Sequence, residues 1–183
     1  MSRIPLVAPS DATGDSKRLL DQIQGAFGAT SAMFRAVAHS PAALQALWSA
    51  FGALGGAAST IPARLGEQIA VAVADRNRCE YCLAAHTALG RKAGASSAEM
   101  AAAQAGESAD PKTAAALRFA LQLVEARGQD GDEDVRALRA AGFDDGQVVE
   151  IIAHVALNLF TNYVNVALDV PLDFPAVPLR AKG

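Results

Sequence analysis

The chain has 183 residues, of which 51% are hydrophobic and 5% aromatic, and its formal net charge at pH 7 is −3. This composition is too apolar for a disordered protein. The lack of a basic excess argues against a nucleic-acid-binding protein and against a polybasic membrane-surface protein. The length suits one domain, 1–183, and the high alanine content favours helices.

Helix signals follow one another along the chain, and no segment has convincing strand alternation. The pattern predicts an all-α bundle of about eight helices, after an extended arm at residues 1–14. Start signals stand at Ser40–Pro41 and Asp110–Pro111, where an N-cap precedes proline, and at Ser96–Glu99, which resembles a capping box. The longer helices are expected near 15–27, 41–54, 62–76, 79–93, 111–127 and 145–168. Residues 128–134 are expected to form an acidic turn, and the proline-rich residues 170–183 an extended tail.

The termini and the two cysteines suggest a cellular compartment. No apolar stretch with a cleavage site follows the N-terminus, and no run of 18 residues is uniformly apolar. We therefore expect no signal peptide, no membrane-spanning helix and a cytoplasmic location. Two cysteines cannot build a disulfide framework, so a pair three residues apart indicates redox or metal chemistry.

The residues that carry this chemistry lie between Glu67 and His86. Cys79 and Cys82 are three residues apart and His86 is four residues further on, so a helix would place all three on one face. If that helix begins near Arg78, both cysteines lie in its first turn, where unpaired N–H groups and a nearby positive charge stabilise a thiolate. The pattern indicates a redox-active dithiol. One thiolate would attack an electrophile, the other would close a disulfide, and His86 and Glu67 would move protons.

Two other interpretations of this segment stay open. The cysteines could be small buried hydrophobic residues. Alternatively, Cys79, Cys82 and His86, with Glu67 as the fourth ligand, could bind zinc. The chain has no second cysteine pair, and a cysteine and a histidine one helical turn apart give poor tetrahedral geometry. We therefore expect no metal.

The spacing of Glu67, Cys79-x-x-Cys82 and His86 resembles the core of the carboxymuconolactone decarboxylase-like superfamily. Within it, the chain is most similar to the alkylhydroperoxidase D (AhpD-like), peroxidase-related branch, and 151–165 is similar to the final helix of such proteins. The resemblance implies an AhpD-like helical bundle with the CxxC at a helix N-terminus. It also implies a homo-oligomer, commonly a trimer or hexamer.

The resemblance further implies a peroxidase that reduces alkyl hydroperoxides or hydrogen peroxide. Cys82 would form the sulfenic acid, and Cys79, nearer solvent, would resolve it to a disulfide, while Glu67 and His86 form the proton relay. An external dithiol such as lipoamide or a thioredoxin-like carrier would reduce the disulfide, and no bound cofactor is implied. Tyr81 occupies a position where the best-known members have histidine. It is a possible relay or pocket residue, although a phenol relays protons poorly at neutral pH.

Two features outside this segment leave alternatives open. One is a polar stripe on the last predicted helix, which either faces the cysteine pocket or a partner subunit, or holds one helix to another in a buried network. It comprises His154, Asn158, Thr161 or Asn162, and Asn165, and His154 is a possible relay or pocket residue. The other is the tail, whose Phe174 and Leu179 should be buried either against a neighbouring subunit or against their own domain.

Two functions of other classes remain beside the peroxidase. A non-enzymatic redox sensor would use the same dithiol as a switch and would oxidise once per molecule. A decarboxylase like the one that gives the superfamily its name is less favoured, because decarboxylation of a lactone does not require a CxxC.

Overall fold

The computed structural model describes residues 2–129 and 131–181. These residues form nine helices and no strand, which confirms the all-helical prediction and adds one helix to the expected number. The helices are α1 (Gly14–Phe27), α2 (Ala32–Val37), α3 (Pro41–Leu54), α4 (Ala63–Arg76), α5 (Glu80–Lys92), α6 (Ser97–Gln104), α7 (Pro111–Ala126), α8 (Gly131–Ala140) and α9 (Asp145–Leu168).

Short polar side chains begin several of these helices, as the sequence predicts. Ser40 accepts a hydrogen bond from the backbone of α3, and Asp110 does the same for α7. Ser96 and Glu99 form a full capping box at α6. The acidic turn predicted at 128–134 is wrong in part, because α8 already begins at Gly131. Its acidic residues occupy the first helical turn, where the helix dipole favours negative charge. Asp130 lies outside the described residues.

The helix α4 forms the centre of the bundle. Nine of its 14 residues are buried, and it packs against α5, α6, α7 and α9. Ile69, Val71 and Val73 are fully enclosed. Burial on nearly all sides explains why small and β-branched residues alternate here without forming a strand. This packing also holds Glu67, near the start of α4, against α5.

The arm and the tail both run along the surface of the same domain. The backbone N–H of Arg3 donates to the carbonyl of Leu168 at 2.8 Å. In the tail, the N–H of Arg180 donates to Asp75 at 3.0 Å, and the Pro178 carbonyl accepts from Gln104 at 2.9 Å. The described part of the tail therefore packs on its own domain, which is the second of the two alternatives. Met1 and residues 182–183 of the predicted arm and tail lie outside the described residues.

The longest helix, α9, combines an inner polar stripe with an outer apolar face. Large apolar side chains are exposed along it at Val149, Ile152, Phe160, Tyr163 and Val166. By length and composition α9 is the one described helix that could cross a membrane, although a core helix passes the same test. Its inner face packs against six other helices, α2, α3, α4, α5, α7 and α8, and a third of its most apolar window is buried. The homo-oligomer stays a prediction, for which the outer face of α9 offers an apolar surface.

Candidate active site

The CxxC lies at the start of α5, as the sequence predicts. Cys79 is the N-cap residue, and its sulfur accepts a hydrogen bond from the backbone N–H of Cys82 at 3.3 Å. Arg78, just before the helix, has a φ of 58° and so turns the chain sharply into it. Its guanidinium donates to the carbonyl of Arg180 at 2.5 Å. The positive charge expected beside the thiols is therefore directed to the tail.

Both thiols are buried and reduced. Cys79 is 1% exposed and Cys82 is 2% exposed. The tail covers the start of α5 and the two residues are almost equally buried, so the expectation that Cys79 lies nearer to solvent stays a prediction. The hydrogen bond with Cys79 lowers the pKa of Cys82, and burial opposes it, while His86 and Asn165 lower it further. The same pairing and burial raise the pKa of Cys79. Cys82 is thus the thiol set up to ionise.

The polar stripe of α9 faces the cysteines. The side-chain amide of Asn165 donates to the sulfur of Cys82 at 3.2 Å, and the hydroxyl of Thr161 lies 3.9 Å from that sulfur. Asn165 is 4% exposed and Thr161 2%. A buried amide donor stabilises a thiolate more than a thiol, because hydrogen bonds to charged acceptors are stronger. The stripe at helical spacing was the only sequence signal for this contact.

Asn162 connects the stripe to the turn before the CxxC. Its side-chain oxygen accepts from the amide of Asn77 at 2.9 Å. Among the described residues, the amide nitrogen of Asn162 and the side-chain oxygen of Asn165 are buried with no hydrogen-bond partner. Such unpaired polar groups cost free energy in a resting fold and are typical of functional sites. The stripe therefore both positions the turn and presents polar atoms around Cys82.

Glu67 and His86 form a close pair across the contact of α4 and α5. The Nδ1 atom of His86 lies 2.7 Å from a carboxylate oxygen of Glu67. Burial lowers the pKa of His86, but the charge of Glu67 and its hydrogen bond outweigh burial, so the pKa is raised above its ordinary value. Because Nδ1 of His86 is bound to Glu67, Nε2 is the ring nitrogen that can exchange a proton with a bound molecule. Within the described residues, no group of three or more His, Cys, Asp or Glu side chains could hold a metal ion.

His154 meets Glu67 and His86 in one cavity, which we call the histidine pocket. The cavity has a volume of about 340 Å³. Its polar wall includes these three residues with Asn158 and Thr161, and its apolar wall includes Phe51, Leu54, Ile61 and Leu157. His154 has a lowered pKa because of burial, which exceeds the opposing effect of nearby carboxylates. Its Nε2 atom has no partner among the described residues, so a neutral imidazole is available there to a bound molecule.

Gly66 makes room for His154 on α4. A Cβ atom at position 66 would lie 3.1 Å from Cε1 of the His154 ring. That is tighter than ordinary van der Waals contact, so the ring could not keep this position beside any other residue. The glycine therefore belongs to the construction of the histidine pocket.

Glu150 holds the loop that forms the rim of the histidine pocket, and the sequence did not identify it. Its carboxylate accepts from the Ser59 hydroxyl, from the hydroxyl of Thr60 at 2.6 Å and from the N–H groups of Thr60 and Ile61. Partial burial raises the pKa of Glu150, but these hydrogen bonds dominate and lower it to about 2. The contact joins positions about 90 residues apart, so no local pattern signals it.

Tyr81 points away from Cys82 and into the tail. Its hydroxyl donates to the carboxylate of Asp173 at 2.5 Å, and its ring packs edge-on against Phe174 with centroids 6.2 Å apart. Burial and the Asp173 carboxylate raise its pKa further above the neutral range. The possible relay role is therefore not supported by the geometry, because the hydroxyl is already bound and faces the tail. Tyr81 instead lines a second cavity, at the N-terminal end of α5.

Comparisons with known proteins agree with this architecture. The model of the carboxymuconolactone decarboxylase family matches residues 41–126, which contain Glu67, both cysteines and His86. The match ends before α9, so the family model does not describe the Asn165 contact. No curated protein matches the chain.

Solved structures resemble the chain over nearly its whole length. A peroxidase-related protein from Ralstonia eutropha JMP134, described as an alkylhydroperoxidase AhpD core, is 24% identical, with a TM-score of 0.85 over 94% of this chain and 92% of that one. A peroxidase-related protein from Silicibacter sp. TM1040 is 23% identical, with a TM-score of 0.81 over 93% and 91%. The debrominase Bmp8, as an alanine variant in complex with 2,3,4-tribromopyrrole, is 19% identical, with a TM-score of 0.78 over 94% of each chain. At these identities the similarity establishes the fold. The chain therefore has the AhpD-like fold, and its residues 41–126 match the model of the carboxymuconolactone decarboxylase family.

Proposed function

We propose that the protein is a thiol-dependent peroxidase that reduces organic hydroperoxides or hydrogen peroxide through a Cys79–Cys82 dithiol cycle. The observation that carries the proposal is the environment of Cys82. Its sulfur accepts from Asn165, and its backbone N–H donates to the Cys79 sulfur within the first turn of α5. One thiol is thus poised to ionise, with a second thiol three residues away to trap its oxidised form.

The first half of the cycle oxidises Cys82. Its thiolate attacks the terminal oxygen of the peroxide, the O–O bond breaks, and Cys82 becomes a sulfenic acid. The departing alkoxide or hydroxide takes a proton from His86, whose raised pKa keeps the imidazolium available near neutral pH. Glu67 holds the ring in place and stabilises its positive charge.

The second half forms the disulfide. The Cys79 thiol attacks the sulfur of the sulfenic acid, a Cys79–Cys82 disulfide forms, and water leaves. The N-cap position of Cys79 keeps the two sulfurs within one helical turn, which favours resolution over further oxidation. An external dithiol then returns both cysteines to the reduced state. Over one turnover, two thiol hydrogens and one hydroperoxide give an alcohol and water.

The test is reduction of cumene hydroperoxide by the purified protein with excess dihydrolipoamide. We expect many turnovers in the wild type, none in Cys82→Ser, and a sulfenic acid trapped by dimedone in Cys79→Ser. A wild type that oxidises once and then stops in the presence of reductant would refute the enzyme and favour the redox sensor. Retained turnover in Cys82→Ser would refute the role of that thiol.

A second candidate is reductive removal of bromine from a small aromatic ring. It is favoured by the debrominase with the same fold and by a pocket of about 340 Å³ that combines apolar and imidazole walls. The electron balance is the same, since a dithiol and an aryl bromide give a disulfide, the debrominated ring and hydrogen bromide. The same assay with a brominated pyrrole distinguishes the two, because bromide release without peroxide turnover would favour the second.

A further inference from the structure

The dithiol lies between two separate cavities. One is the histidine pocket. The other, which we call the Cys79 groove, has a volume of about 410 Å³ and lies at the N-terminal end of α5. Its walls come from the start of α5, the end of α9 and the first residues of the tail, including Cys79, Tyr81, Asn165, Val166 and Leu172. The two cavities share no lining residue.

Each cysteine is related to a different cavity. Cys79 lines the groove. Cys82 lies at the boundary, because its sulfur contacts Asn165, which lines the groove, and lies 3.9 Å from Thr161, which lines the histidine pocket. A molecule in the groove therefore meets Cys79 first. A molecule in the histidine pocket meets the proton relay and Thr161, whose hydroxyl lies 3.9 Å from the Cys82 sulfur.

We propose that the Cys79 groove is the binding site of the reductant, a small linear dithiol, and that the oxidising substrate enters separately through the histidine pocket. This inference rests on the proposed dithiol cycle and adds a site and a direction of attack to it. A thiolate of the reductant attacks the Cys79 sulfur of the disulfide, a mixed disulfide forms, and Cys82 leaves as a thiolate. The second thiol of the reductant then attacks its own sulfur in the mixed disulfide. Cys79 leaves and takes up a proton, and the reductant departs as a cyclic disulfide.

The chemistry of exchange agrees with this choice of sulfur. The better leaving group in a disulfide is the thiol with the lower pKa. Asn165 donates to Cys82 and lowers its pKa, whereas pairing and burial raise that of Cys79. Attack on Cys79 therefore releases the stabilised thiolate, and Cys79 is the cysteine that lines the groove.

The tail restricts what can enter the groove. Asp173 accepts from the hydroxyl of Tyr81 at 2.5 Å and from the backbone N–H of Ala32 at 2.7 Å, and Phe174 packs on the Tyr81 ring. These contacts fasten the tail over the start of α5, and Cys79 is 1% exposed. A slender dithiol can fit beside the fastened tail. The CxxC of a folded thioredoxin-like protein is too bulky unless the tail moves.

The test separates the two half-reactions. Diamide forms the Cys79–Cys82 disulfide without any peroxide, and its reduction by dithiothreitol is followed by a gel shift with a maleimide polymer. Oxidation of the reduced protein by cumene hydroperoxide is measured in the same way.

The variants Val166→Trp and Leu172→Trp fill the groove from α9 and from the tail, and Leu157→Trp fills the histidine pocket. Val149→Trp, on the exposed face of α9, is the matched control.

We expect the two groove variants to slow reduction by about tenfold or more, since exchange depends on access to the attacked sulfur, and to leave oxidation unchanged. Leu157→Trp should slow oxidation alone, and Val149→Trp should change neither. Groove variants that reduce at the wild-type rate, or that slow the same half-reaction as Leu157→Trp, would overturn the inference. Circular dichroism checks that each variant is folded. If one of the two groove variants does not fold, the other is enough for the test.

This design distinguishes failure of the inference from failure of the proposed peroxidase. If cumene hydroperoxide does not oxidise the wild type, the peroxidase is refuted, while the diamide and dithiothreitol arm still tests the groove. A further variant, Tyr81→Phe, removes the hydrogen bond to Asp173. It should speed reduction by thioredoxin more than reduction by dithiothreitol. Equal effects on both reductants would refute the restriction by the tail.

Discussion

Replacement of Asn165 by leucine tests whether α9 controls the reactivity of Cys82. The variant removes the amide that donates to the Cys82 sulfur at 3.2 Å and keeps a side chain of similar size. It also removes a buried oxygen that has no partner among the described residues. We therefore expect only a small change in the free energy of unfolding and a large change in the pKa of the thiol.

The size of the effect follows from the hydrogen bond. A bond to a charged group contributes about 1.5–3 kcal/mol, and 1.36 kcal/mol corresponds to about one pH unit in a pKa. The pKa of Cys82, lowered in the wild type to about 6, should therefore rise to about 7–8. At pH 7 the thiolate fraction would fall from about 90% to between about 50% and 10%, and the oxidation rate by about two- to tenfold.

The assay is a titration of thiolate absorbance in the Cys79→Ser background, with the rate of oxidation by cumene hydroperoxide measured over the same pH range. Because loss of Cys79 itself changes the pKa of Cys82, the readout is the rise in pKa that Asn165→Leu adds within this background. The rate of the variant should recover at high pH, where its thiol is fully ionised. Asn158→Leu is the matched control, because Asn158 is a buried asparagine of the same helix whose amide donates to the His154 carbonyl. An unchanged pKa in Asn165→Leu, or an equal rise in Asn158→Leu, would refute the reasoning.

Three further substitutions test the pocket around the dithiol. Glu67→Gln removes the charge that raises the pKa of His86, so the alkaline limb of the pH–rate profile should move to lower pH; a limb that stays in place would contradict the relay. Gly66→Ala places a methyl group 3.1 Å from the His154 ring, so the ring has to shift and KM for cumene hydroperoxide should rise. An unchanged KM would show that the position of the ring is not constrained. The pKa of Glu150 is lowered to about 2, so its ionised carboxylate stabilises the folded state. This stabilisation is complete above the ordinary pKa of 4.5 and is lost as pH falls through about 2. Glu150→Gln should therefore lower the Tm at pH 7 by more than at pH 3, and an equal loss at both would contradict this sign.

The sequence alone determined the features that depend on local structure. Ser40, Ser96 and Asp110 begin helices because their side chains bind backbone N–H groups only three residues away. Cys79 and Cys82 share a helical turn because residues three apart in a helix lie on one side. Periodicity also predicted α9 and its polar stripe, although it left open which neighbour the stripe would face.

Only the tertiary structure decided what surrounds the thiols. Asn165 meets Cys82 across 83 positions, Asp173 meets Tyr81 across 92, and Glu150 meets Thr60 across 90. Contacts of this range depend on how whole helices pack, so no spacing within one segment encodes them. The same packing places the tail over the start of α5, where Cys79 lines a cavity beside the first tail residues. Local spacing thus produced the dithiol, and helix packing decided which sulfur ionises and which cavity each one meets.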